Sequence, residues 1–200
     1  MFDQTVSRET RSRLYSFVRL LLLWNRRINL IARGDEVIIW ERHVADSLAL
    51  LPHLPAAFSH AIDIGSGGGF PGLVLAIAAD RPFHLVESDQ RKAAFLREVA
   101  RATHAPAIIH AGRIERVSIE PAPLITARAV AILPDLLRWS ARLLAPGGVC
   151  IFPKGRNVED ELTAAKGEWN MRVERFRSLT DSSATILRIS EISSSGPHAS

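Results

Sequence analysis

Apolar residues recur along this chain in two rhythms, and the change from one to the other falls near His60. From Thr5 to about Arg27, Leu14, Phe17, Val18, Leu21 and Leu22 return at spacings of three and four, which predicts a helix with one buried face. A second helix is expected over 35–51, stopped by Pro52. Beyond His60 the pattern becomes short apolar runs: His60-Ala-Ile-Asp-Ile-Gly65, Phe83-His-Leu-Val-Glu87, Ala107-Ile-Ile-His110, Leu124-Ile-Thr126 and Gly148-Val-Cys-Ile-Phe152. Between them lie helical stretches at 72–79, 90–103, 134–144 and 157–169, the last expected to open with an Asn157 cap. Five strands alternating with helices imply an α/β doubly wound fold, a parallel sheet covered on both faces.

The end of the chain departs from this alternation. Segments 172–177 and 184–189 read as strands joined by only a short polar link, and strands so joined pair as an antiparallel hairpin. A parallel core finished in this way resembles the class I methyltransferase sheet with its reversed last strand. One domain is expected over residues 1–192, with an N-terminal helical cap (1–55) and a Rossmann-like core (60–192). The small polar residues 193–200 are expected to form a disordered tail.

Composition changes this picture little. The chain has 200 residues and 47% apolar content, enough for one full core. Its single cysteine, Cys150, lies in an apolar run and has no internal partner, a usage that fits a reducing, cytoplasmic setting. The apolar run Leu20 to Trp24, with Arg19 before it, is too short to span a membrane. The net charge of +4 favours an anionic partner, although 22 Arg against 3 Lys also fits a GC-rich genome. Residues 1–45 hold eight Arg against five acidic residues, an excess that most often only solvates an exposed face and otherwise marks RNA contact. The seven histidines show no metal-ligand spacing, so no metal is expected.

The densest signal is Asp63-Ile-Gly-Ser-Gly-Gly-Gly-Phe-Pro-Gly72, set directly after a buried strand and directly before a helix. Five glycines in eight positions exceed what a plain turn needs and point to a ligand cradle. Gly67, Gly69 and Gly72 satisfy G-x-G-x-x-G, so a nicotinamide dinucleotide is permitted. Asp63 argues the other way. A carboxylate beside the loop suits the methionine ammonium of S-adenosyl-L-methionine and opposes a pyrophosphate at the helix N-terminus. Glu87 ends the next strand, at the spacing where a carboxylate accepts both ribose hydroxyls. Either Glu87 or Asp89 could instead cap the following helix.

With these residues in view, the sequence resembles the bacterial glucose-inhibited-division-B family of 16S rRNA guanine-N7 methyltransferases along nearly its whole length. The marks are Trp24-Asn-Arg-Arg-Ile-Asn-Leu30, Arg42-His-Val-Ala-Asp-Ser47, the glycine loop, Glu87-Ser88 with Arg91-Lys92 and Phe95-Leu96, Arg113-Ile-Glu115, Arg128-Ala129 and Phe152-Pro-Lys-Gly155. Many family members carry Ser where this chain has Ala127. The resemblance implies S-adenosylmethionine as cofactor and methylation of a guanine (position 527) in the 530 loop, within the small ribosomal subunit or an assembly intermediate. It also implies cofactor contacts at Gly65, Phe70, Ile114, Glu115 and Arg128, to which the physical argument adds Asp63, Gly67 and Glu87. Read without the family, Ile114 and Glu115 begin a short surface helix and Arg128 is a solvated charge.

The residues also limit the chemistry. Amine methylation usually employs an Asn or Asp-Pro-Pro-aromatic segment after the fourth strand, where this chain has Thr126-Ala-Arg-Ala-Val130. Methylation of a pyrimidine carbon needs a thiolate, and Cys150 sits mid-strand in an apolar stretch. Guanine N7 already presents an in-plane lone pair and loses no proton, so no catalytic acid or base is assigned. Arg42, His43 and Lys154 are expected at the cavity mouth as RNA contacts, because strand C-terminal ends and the N-terminal helices border one crevice. The competing readings are a nicotinamide dehydrogenase and a non-enzymatic RNA-binding assembly factor.

Overall fold

A computed structural model describes residues 6–178, 180, 181 and 183–196. Helix α1 (Arg8–Asn25) opens where the Ser7 hydroxyl accepts from the Thr10 amide, and its apolar stripe is the predicted one: Leu14, Phe17, Val18 and Leu21 are buried. Thr5, the predicted start, lies outside the described residues.

The expected second helix is not continuous. A 3-10 turn (Arg33–Ile38), a wide π turn (Trp40–Val44), a single turn α2 (Ala45–Leu48) and a further 3-10 turn (Leu51–His53) replace it. Asp35 accepts from His43 at 3.0 Å and pairs with Arg42 at 3.2 Å, so side chains of the expected helix bond one another across the break.

The core follows the predicted alternation: β1 (Ala61–Ile64), α3 (Gly72–Ala79), β2 (Phe83–Glu87), α4 (Gln90–Thr103), β3 (Ala107–Ala111), β4 (Ala122–Ala127), α5 (Leu133–Leu143), β5 (Leu144–Lys154), α6 (Val158–Lys166), β6 (Trp169–Arg177) and β7 (Thr185–Ser194). The sheet order is β3-β2-β1-β4-β5-β7-β6. β1 to β5 are parallel, whereas β7 runs antiparallel to both β5 and β6. Order reverses between β1 and β4, and in such sheets ligands bind outside the strand C-termini at that point.

Successive residues of each strand serve opposite faces. Ala61 and Phe83 pack with α1, α3 and α4, while Ile62, Cys150 and Phe152 pack with α5 and α6. Several boundaries differ from expectation, among them the start of β5 at Leu144, a residue expected to end the preceding helix. The last helix ends at Lys166, its Asn157 side chain makes no capping bond, and Trp169 already belongs to β6. Ser193 and Ser194, expected in the tail, pair with Asn170 and Trp169; residues 197–200 lie outside the described set.

One buried polar residue shapes the entrance. Asn25, only 6% exposed, accepts from the amides of Leu30 and Ile31 at 2.9 and 3.1 Å and donates to Glu36 at 2.7 Å. This stops α1 and folds the next loop toward the glycine turn, so that the Leu30 carbonyl lies 3.1 Å from where a Cβ on Gly68 would sit. Asn25→Ala removes both roles at once and is expected to lower stability by about 2–3 kcal/mol in urea unfolding, since it strands buried polar groups. A loss below about 0.5 kcal/mol would show that water replaces the side chain.

Candidate active site

The loop between β1 and α3 needs its glycines for conformation and for space. Gly65 has φ +69, and a Cβ there would lie 2.3 Å from a Val130 methyl; Gly67 and Gly69 also have positive φ. Glu87 at the end of β2 fastens the loop: Oε2 accepts from the Gly67 amide at 2.8 Å and Oε1 from the Asp89 amide at 2.7 Å. Capping of α4 falls to Asp89, which accepts from the amides of Arg91 and Lys92 and is held below the usual carboxylate range by those bonds. Each Glu87 oxygen retains a second lone pair, and the side chain lines a cavity of about 430 Å³ together with Leu30, Ile31, Gly65, Gly67, Phe70 and Arg128.

Asp63 does not line that cavity. It is fully buried beneath the loop, where Oδ1 accepts from the Thr126 hydroxyl on β4 at 2.6 Å. Oδ2 has no hydrogen bond of standard geometry and faces the start of α3; a Cβ on Gly72 would stand 2.5 Å from it. Burial pushes the Asp63 carboxyl up to about 6, against the opposing influence of Thr126, Ser66 and Arg128. Its expected direct contact with a ligand is therefore replaced by a negative charge supplied from below.

Arg128, read from sequence alone as solvated, has a side chain only 17% exposed. Its guanidinium lies 5.1 Å from the Phe70 ring centre, 3.7 Å from Asp46, and donates to His43 Nδ1 at 2.9 Å. An arginine N–H can only donate, so Nδ1 accepts and the imidazole proton sits on Nε2, bonded to Asp35. Burial, and then Arg128, hold the His43 pKa below its usual value, consistent with this neutral tautomer. The His43 ring also stacks on Phe70 at 5.0 Å. His43, Arg128 and Ala129 form a wall shared with a second cavity of about 600 Å³, which is further lined by Ile38, Glu41, Arg42, Asp46, Thr180 and Asp181.

Ile114 and Glu115 form a 3-10 turn after β3, as their local pattern suggests, and line a small cavity with Gly112 that shares Gly65, Ser88 and Val130 with the first. Arg42 is at the mouth, its side chain 60% exposed. Lys154 is not. Its ammonium is buried, 2.6 Å from Glu161 and 3.0 Å from the Ala131 carbonyl, while Glu161 also accepts from the Leu133 amide. It braces the segment after β4 instead of facing a ligand. Sequence reading missed Asn25, Asp46, Lys92, Thr126 and Val130; the first three stand inside the family-like motifs, but Val130 gives no local signal.

Cys150 is fully buried and burial pushes its thiol up to about 12, which removes it as a nucleophile. Among the described residues, no group of three or more His, Cys, Asp or Glu is placed to hold a metal, and no helix is long and apolar enough to cross a membrane.

Because the Asp63 pKa is higher in the fold than the ordinary 3.8, the folded state binds the proton more tightly. Stability from this group declines as pH rises from about 4 to 6 and is absent above, a cost on the order of 3 kcal/mol at neutral pH. Asp63→Asn, which keeps an acceptor for Thr126, is therefore expected to gain at least about 1 kcal/mol over the parent at pH 7 and nothing at pH 4. Equal differences at both pH values in denaturant titrations would contradict an uncompensated buried charge.

Comparison with known proteins gives one answer at the level of sequence. Residues 10–187 match the family model described as rRNA small subunit methyltransferase G. The protein named ribosomal RNA small subunit methyltransferase G from Rhodospirillum centenum is 55% identical over 191 residues, covering 96% of this chain and 88% of that one. Its namesake from Granulibacter bethesdensis is 55% identical over 188 residues, covering 94% and 88%. Solved structures share the fold at low identity. An O-methyltransferase from Bacillus cereus aligns at TM-score 0.58 with 12% identity, over 90% of this chain and 91% of that one. A putative O-methyltransferase from Klebsiella pneumoniae aligns at 0.55 with 15% identity, over 91% and 89%. The glycine loop, the reversed last strand and these sequence matches agree, and the chain belongs to the rRNA small subunit methyltransferase G family.

Proposed function

We propose that this chain transfers a methyl group from S-adenosylmethionine to N7 of a guanine in the 530 loop of 16S rRNA, presented in the small ribosomal subunit or an assembly intermediate. The observation that carries the reading is the adjacency of two cavities across one wall of His43, Arg128 and Ala129, one behind the glycine loop and one open toward the N-terminal segment.

The residues fit the cofactor. Gly65 leaves no room for a side chain beside Val130, Glu87 presents a carboxylate with spare lone pairs, and Asp63 places negative charge under the loop. Gly65, Gly67, Phe70, Glu87, Ile114, Glu115 and Arg128 would hold it, with Glu87 accepting the ribose hydroxyls and Asp63 favouring a cationic methionine end through the backbone. When bound, S-adenosylmethionine supplies an electrophilic methyl group on a positively charged sulfur.

The protein's own contribution is alignment and exclusion of water. Leu30, Ile31, Phe70 and Val130 give the cavity apolar walls, and Arg128 is fixed by Asp46, His43 and Phe70. Positioning of this kind supplies up to about 7–11 kcal/mol in favourable cases. No side chain has to remove a proton, because N7 attacks through an existing lone pair. Both imidazole nitrogens of His43 are engaged, so this residue acts by positioning Arg128, while exposed Arg42 serves the RNA phosphates with the salt dependence such contacts bring. An rRNA substrate and a buried, unpaired Cys150 together support a cytoplasmic place of action.

The purified protein, incubated with labelled S-adenosylmethionine and small subunits from cells lacking the modification, is expected to place label at a 530-loop guanine, located by cleavage at 7-methylguanine. Free rRNA run in parallel identifies the preferred form. Cofactor binding without label on either substrate would reject this target and favour a binding-only assembly factor.

A further inference from the structure

The second cavity has a polarity that matches one base. Its wall toward the cofactor cavity carries Arg128, and Asp46 stands next to it, with Asp46 Oδ2 3.7 Å from the guanidinium Nη1. Asp46 is held on two sides: Oδ1 accepts a hydrogen bond from the Thr180 hydroxyl in the β6–β7 link, and Arg128 fixes the other oxygen. Its side chain is 26% exposed, so the carboxylate is anchored yet open to the cavity. Glu41 and Asp181 are exposed, and Oδ1 of Asp181 already accepts from the amide and hydroxyl of Ser183.

Moving along the cavity from the cofactor side, a base meets a donor and then an anionic acceptor. Along guanine, starting at N7, the groups run O6, an acceptor; N1–H, a donor; and the N2 amino group, a second donor. Arginine has five N–H donors and no acceptor, so groups left over from His43 and Asp46 remain for O6, whereas a carboxylate takes two adjacent donors at once. Adenine and cytosine each present a ring acceptor next to one amino group, and uracil has a single donor between two carbonyls. None offers a carboxylate two neighbouring donors.

We propose that Asp46 is the base-recognition residue: it accepts N1–H and the N2 amino group of the target guanine while Arg128 donates to O6, leaving N7 directed at the cofactor cavity. The pair presents the donor–acceptor row with which cytosine meets guanine. Asp46 is therefore both a support of Arg128 and the reader of the base. This inference rests on the guanine-N7 reading above.

The test uses two RNA substrates that differ only at the target position, one with guanosine and one with inosine, which keeps N7, O6 and N1–H but lacks the N2 amino group. The wild type is expected to methylate the inosine substrate at least about tenfold less efficiently in kcat/KM, the loss that follows when a charged acceptor is left without its donor. In Asp46→Asn the activity on guanosine falls and the guanosine-to-inosine ratio contracts to within about twofold. Asp46→Glu, which keeps the charge, restores part of the preference. S-adenosylhomocysteine affinity, measured on each variant, separates damage passed to the cofactor cavity through Arg128, which lowers both substrates alike, from loss of base reading, which alone contracts the ratio.

A wild type indifferent to the N2 amino group, or variants that lower both substrates equally and leave the ratio intact, would overturn the proposal and reduce Asp46 to a support of Arg128. Either result, obtained with robust N7 methylation of guanosine, leaves the enzymatic reading standing. Absence of methylation on any substrate removes both.

Discussion

A fully buried carboxylate at the point where the sheet reverses its order governs the geometry of this protein. Asp63, on β1, accepts from Thr126 on the neighbouring β4 and packs so closely on Gly72 that no side chain fits there. Strand, neighbouring strand and the first turn of α3 are thereby locked to one another directly below the glycine loop. The arrangement costs stability at neutral pH, because burial opposes the charge. A fold that retains such a cost at its ligand-binding crevice has a use for the charge, and a cationic cofactor end above the loop is the use that fits.

Above that base, binding is divided between two fixed elements. Glu87 holds the Gly67 amide and keeps lone pairs for a ligand, and the Arg128 cluster forms the partition between the cofactor cavity and the outer one. The N-terminal segment completes both. Asn25 folds Leu30 and Ile31 over the loop, and Asp35 tethers His43 and Arg42. The N-terminal segment thus lines both cavities, and under the proposed function it would carry the substrate-facing residues.

The core was legible because its signals are local. The period of apolar residues located all of its strands and helices, and the glycine run and Glu87 marked residues that line one cavity. What escaped depends on contacts distant in sequence. Periodicity over 35–51 looks helical, yet the chain there breaks into turns that bring Asp35 beside His43. Lys154 reads as an RNA contact at the cavity mouth until Glu161, on the following helix, closes on it. Arg128 reads as solvated until Phe70 and His43 fold against it. Asp46 lay inside a recognised motif, but its place between Arg128 and Thr180, the latter 134 residues away, exists only in the folded chain.

The most direct test of the account is the affinity of S-adenosylhomocysteine at pH 7 and pH 5, measured by titration calorimetry on the wild type and Asp63→Asn. The methionine ammonium stays charged across this range, whereas Asp63 loses its charge below about 6. The wild type is expected to bind about tenfold more weakly at pH 5 than at pH 7, as a single proton on Asp63 requires. Asp63→Asn is expected to bind weakly and equally at both, which separates this group from His43 in the cavity wall. A wild type with unchanged affinity, or an Asp63→Asn variant that keeps the wild-type profile, would contradict the claim that the buried charge selects the cofactor.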